Sequence, residues 1–242
     1  MAAIVDDRLL GEAAGVIHAG DVATLTRLLA QTPDLAKARL NAKGARTLLH
    51  VVTDWPGNLL NGAASVAALV AAGADVDVRA GVKNQETPLQ WAASSDDVDV
   101  LDALLDAGAD IEAAGAVIGG GTALNDATAF AQWNAARRLV EKGAVTGLFD
   151  EAALGLMDRL ERRFAADAAI TLEAINDGLW AACHGGQQQC ADFLLARGAD
   201  INSIPGWEPL TPLDAAERAK ANDLAGWLRG QGAITAQELD GS

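Results

Sequence analysis

Apolar residues recur along this chain in short pairs of helical stripes, and the pairs themselves recur. The best-formed copy spans Lys83 to Glu112, KNQETPLQWAASSDDVDVLDALLDAGADIE. Thr87-Pro88-Leu89 predicts the start of a short helix, because threonine can cap it and proline fits its first turn. Ala92 and Ala93 keep the inner side of that helix thin. Leu101, Leu104 and Leu105 stripe a second helix, and Gly108-Ala109-Asp110 predicts its end. Gly-Ala pairs start at Gly73, Gly108, Gly143, Gly198 and Gly232, spaced by 35, 35, 55 and 34 residues. Such spacing predicts a repeat architecture, with an irregular unit inside the long gap.

In order, residues 1–242 read as a single domain: an N-terminal cap over about 9–40, then repeats over 44–80, 81–113 and 119–146. An irregular repeat over 147–176, a further repeat over 177–203 and a C-terminal cap over 207–234 complete it. Between the two helices of the first full repeat, DWPGNLLNG is longer than the unit needs; its Pro56 and Gly57 forbid simple helix continuation and predict a loop. Asp97 is placed to cap the second helix of the next repeat. Gly119-Gly120-Gly121 lacks the Gly-Lys-Ser/Thr of a phosphate loop and is assigned to the hairpin joining two repeats. AADAAITLEAINDG reads as a connector with some helix, and the tail ITAQELDGS is expected to fray.

Three openings, Thr87-Pro88-Leu89, Thr122-Ala123-Leu124 and Thr211-Pro212-Leu213, together with the five Gly-Ala endings, resemble the ankyrin repeat family over roughly Leu9 to Ala233. The resemblance implies an all-α fold, an ankyrin-repeat solenoid of stacked helix-turn-helix pairs joined by β-hairpin-like loops. It also implies a concave side that presents loop tips and first helices to partners. Positions after each Ala-Ala pair then face outward: Ser94 and Ser95, Phe130, His184, with Asp54 and Trp55 at the insertion. Trp91 and Asp126 point inward on first helices, so that Trp91, Asp126, Phe130 and His184 line one groove. His50 stands at the motif histidine, whose role in the family is to hydrogen-bond neighbouring backbone.

Composition narrows the function. With 33 acidic against 18 basic residues, a net charge of −15 argues against nucleic acid and against anionic membrane surfaces. The acidity serves solubility first and recognition of a basic partner second. Cys183 and Cys190 have no paired framework around them, which fits a reducing compartment. The start, MAAIVDDRLLGEAA, shows neither an export signal nor a membrane span, which leaves the cytoplasm as the expected location.

The chain has six tryptophans and no tyrosine. Trp133 and Trp227 align with apolar second-helix positions and are assigned to the core, and Trp180 replaces the motif histidine and is packed between repeats. Trp55, Trp91 and Trp207 are candidate anchors for a partner. Catalytic chemistry is thinly supported: Asp126, His184 and Asp54 form an acid/base set only if they converge. No ligand spacing suggests a metal, and no motif asks for a cofactor. The expected function is a non-enzymatic scaffold that binds a protein through Asp54, Trp55, Trp91, Ser94, Ser95, Asp126, Phe130, His184 and Trp207. The alternative is a small-molecule binder or acid/base enzyme with an aromatic-lined pocket.

Overall fold

The computed structural model describes residues 5–40, 45–81, 85–166 and 169–241. Lys83 and Asn84, at the head of the best-formed repeat, and Asp167 and Ala168, inside the expected connector, lie outside them. Among the described residues the chain is all-α, with fifteen α-helices and one short 3₁₀ turn at Pro33–Lys37. They form two compact units, the first ending at Val145 and the second opening at Thr146.

The first unit stacks four helix pairs: α1 (Asp7–His18) with α2 (Val22–Gln31), α3 (Leu48–Thr53) with α4 (Gly62–Ala71), α5 (Pro88–Ser94) with α6 (Val98–Asp106), and α7 (Ala123–Ala129) with α8 (Trp133–Glu141). Helices α1, α3, α5 and α7 pack in one row, and α2, α4, α6 and α8 in another. The rows differ because the sequences do. Ala92 and Ala93 of α5 are fully buried, as are Leu101 and Leu104 of α6, so small residues let first helices approach while leucines fill the layer behind. Hairpin-like links join the pairs; the first two carry an isolated antiparallel bridge, Arg39 with Thr47 and Ala80 with Glu86, and the third closes through the Gly115 N–H on the Gly120 carbonyl at 2.9 Å.

The second unit pairs α9 (Leu148–Leu154) with α10 (Met157–Ala166), α11 (Leu172–His184) with α12 (Gln188–Leu195), and α13 (Pro212–Arg218) with α14 (Asn222–Gly230). Helix α11 packs on both α9 and α13. It runs for 13 residues against seven in α5, α7 and α13, so its first turns occupy sequence that is hairpin elsewhere. Close packing explains two of its glycines: a Cβ at Gly178 would lie 2.2 Å from Leu148 Cδ2, and one at Gly185 only 1.9 Å from the Ala153 carbonyl oxygen. The tail does not fray as expected. Residues Ala236–Asp240 form α15, capped reciprocally by Thr235 and Glu238 and tied to Asp214 by the Ala236 N–H at 2.8 Å.

The Gly-Ala endings have a conformational cause. Gly73, Gly108, Gly143, Gly198 and Gly232 all adopt φ between 92° and 101°, a left-handed setting that closes second helices and that side chains resist. The acidic or amide residue a few positions on then links one hairpin to the next. Asp77 accepts the Asp110 N–H at 3.0 Å, Glu112 that of Val145 at 2.9 Å, and Asn202 that of Ile234 at 2.9 Å. Trp133 and Trp227, expected in the core, are only half-buried on α8 and α14.

Candidate functional site

One position of the repeat, filled by His50 in α3, Gln90 in α5 and Trp180 in α11, carries the joint to the next hairpin with three different chemistries. His50 turns Nδ1 toward Thr47 and sets Nε2 3.2 Å from the Glu86 carbonyl oxygen. Gln90 accepts the Thr87 N–H at 2.8 Å and donates to the Ala113 carbonyl at 2.8 Å. Trp180, at the same position in α11, donates its indole N–H to the Leu210 carbonyl at 3.1 Å. Burial holds the His50 imidazole down at about 4, well below its ordinary 6.5, so it is neutral at physiological pH.

In the first unit the insertion between α3 and α4 is clamped at its middle and at its C-terminal end. The Asn61 amide donates to the Gly20 carbonyl at 2.9 Å, and the Asn58 N–H donates to Asp97 at 2.6 Å. Gly57 presses so near Ser95 that a Cβ there would lie 2.7 Å from Ser95 Cβ. Asp97 meanwhile caps α6 through the Val100 N–H, as its position predicts. The loop thus presents Trp55, 80% exposed, on a backbone held from both sides. Asp54 is ion-paired with Arg46.

Residues expected to line a groove fare differently. Trp91 is half-buried, its ring edge-on to His50 at 4.9 Å. Ser94 lies between the Gln90 carbonyl and the Asp126 carboxylate. Ser95, expected to be exposed, is buried beneath the insertion. Asp126 is fully buried and accepts the N–H groups of Ile118 at 2.9 Å and Val117 at 3.2 Å, so it holds the hairpin tip before α7. Burial pushes its carboxyl above the ordinary range, and burial followed by the Asp126 charge does the same to Glu86. Phe130, at the end of α7, is exposed as expected.

In the second unit His184 is buried rather than presented, stacked on Trp180 at 5.1 Å. Trp207 stands edge-on to Trp180 at 6.0 Å and to Phe149 at 6.2 Å, yet is 55% exposed. Arg218 lies over the Trp180 ring at 5.3 Å and pairs with Glu208. Phe149 and Arg218 escaped the sequence reading, since nothing in the repeat pattern marks them. Cys183 and Cys190 are buried and unpaired, and burial lifts their thiols to about 12 and about 11, which removes thiolate chemistry at neutral pH. Among the described residues no group of three or more His, Cys, Asp or Glu side chains could hold a metal ion.

Three comparisons place the chain. A family model described as ankyrin repeats (3 copies) matches residues 58–150, and one described as ankyrin repeat matches 179–204. No curated protein matches. Among solved structures, the chain is similar to the human ASB11 ankyrin repeat domain at 24% identity and a TM-score of 0.46, over 78% of this chain and 85% of that one. The repeat matches in both units agree with the capped, Gly-Ala-terminated helix pairs described above, and the chain is an ankyrin repeat protein.

Proposed function

We propose that this chain is a non-enzymatic binding module that engages a protein partner through the loop tips and helix ends of its repeats. Ankyrin repeats generally act as protein-interaction modules. The observation that carries the reading for this chain is where its large exposed hydrophobics lie. Among the described residues, every one, Trp55 and Trp207 foremost, sits in a loop or at a helix end. Aromatic side chains held on rigid supports lose little entropy on binding and dominate interface energetics. The Trp55 loop is such a support.

The acid/base groups favour the same reading, because they are committed to structure. Asp54 pairs with Arg46, Asp126 holds a hairpin, and His184 stacks on Trp180. A reducing cytoplasm suits the two unpaired thiols. No helix among the described residues is long and apolar enough to cross a membrane.

The test is affinity capture from the native cell, followed by titration calorimetry of each captured protein against the wild type and a Trp55→Ser/Phe130→Ser variant. Trp55 is too exposed to support the core, so the variant should keep the parental melting temperature. It should bind at least about ten-fold more weakly, the loss expected of an aromatic anchor. Captured proteins that bind both forms equally would exclude these loops as the binding surface.

A further inference from the structure

The first turns of α11 and the loop before α13 enclose a solvent-open cleft of about 250 Å³. Two features of the second unit create it. Helix α11 begins at Leu172, several residues before the first helices of the regular repeats, so a helical face stands where a hairpin would otherwise lie. The Asn176 side chain accepts the Asp200 N–H at 2.8 Å and fixes the facing loop against that helix. Leu172, Ile204 and Pro205 give the cleft apolar walls, and Glu173 and Asp177 supply carboxylates from successive turns of α11.

The walls are unusual for an unoccupied surface. Leu172 is 57% exposed and Ile204 46%, and Trp207 stands exposed one residue beyond the lining Gly206. No basic side chain lines the cleft. Among the described residues the carboxylates of Glu173 and Asp177 make no ion pair or hydrogen bond, in contrast with Glu208 and Glu217 nearby in sequence, which both pair with arginine. Burial, and then the Glu173 charge, push the Asp177 carboxyl above its ordinary range.

We propose that this cleft receives a lysine or arginine side chain from a partner protein, with an apolar neighbour of that residue covering Leu172 and Ile204. The proposal rests on the reading of the chain as a protein-binding module and supplies the chemistry of its partner. Charge complementarity chooses the cation, because two unpaired carboxylates flank the walls. Size chooses a side chain over a free ligand, since sites that enclose whole small molecules usually run to about 300–1,000 Å³. A bare divalent cation is a poorer occupant, for two carboxylates fall short of the six or more oxygens that hard cations gather.

The test is selection of random dodecapeptides on the immobilised full chain, followed by fluorescence-anisotropy titration of the recovered peptides. Recovered sequences should share a lysine or arginine beside a leucine, isoleucine or aromatic residue. Asp177→Asn should weaken them about ten-fold and Glu173→Gln about three-fold, as expected for a part-buried and a rim charge. Ile204→Ser should weaken them as well. Affinity should fall as NaCl rises from about 50 to about 500 mM. All three variants should keep the parental melting temperature, since none removes a buried contact.

Recovered peptides that lack a basic residue, or that bind Asp177→Asn as tightly as the wild type, would overturn the cleft assignment and leave the module reading standing. Recovery of no peptide at all would overturn the cleft assignment, while the module reading stands or falls separately on capture from the native cell. Stabilisation by N-acetyl-arginine amide without peptide binding would replace the macromolecular occupant with a small one.

Discussion

His50 and Gln90 perform one task, capping their own helix and gripping the next hairpin, but only one of them titrates. The folded protein holds His50 neutral with its ionisation near 4, whereas an unfolded chain protonates it near 6.5. Between those values the unfolded state binds more protons, so stability is lost as pH falls from 6.5 toward 4. The shift is worth about 3 kcal/mol at its limit. His50→Gln, which borrows the chemistry already at Gln90, should flatten that acid limb. Urea unfolding at pH 7 and at pH 4.5 measures it: the wild type should lose about 2–3 kcal/mol that the variant keeps. An equal loss in both would remove His50 from the account. The role of His50 was legible because it occupies a repeat position. That of Asp126 was not, since its partners are N–H groups of a hairpin whose path depends on Gly119 and Gly120 at positive φ.

At the scale of the element, each helix pair has an apolar face it cannot bury alone, and its neighbour supplies the cover. Leu104 of α6 is fully buried in that seam. Leu104→Asp should therefore cost about 2–5 kcal/mol for the lost leucine, before the added penalty for an unpaired buried charge. A chemical denaturation curve matching the parent's would show that the register of α6 is wrong. The regular pairs were readable because caps, leucine stripe and terminal glycine all point the same way. Helix α11 resisted reading for a physical reason. Its early turns carry no repeat signature, and it is the approach of Leu148 to Gly178 that brings α9 against it. The burial of His184 likewise has a cause outside the repeat pattern, since Trp180 both replaces the motif histidine and stacks over the ring four residues on.

Across the whole molecule, the net charge of −15 proves partly architectural. Asp77 and Glu112 spend their carboxylates on backbone N–H groups of the following hairpin, and Asp6, Asp21 and Asp97 spend theirs on helix caps. What composition could not reveal is which acids have no such duty, and Glu173 and Asp177 emerge only when the loop around Ile204 faces them.

The clamped insertion has a consequence for how the first unit comes apart. In an array where each repeat touches only its neighbours, the terminal pair can open alone. Here Asn61, at the end of the loop, grips Gly20, in the pair before its own, and Asn58, at its middle, grips Asp97, in the pair after it. Pairs once removed are thereby coupled, and α2, α4 and α6 should share one opening free energy in native-state hydrogen exchange. Asn61→Ala should split α2 from that group, and an unchanged pattern would show that the grip carries no coupling. The segment that displays Trp55 would then also make the N-terminal end of the array behave as part of its interior.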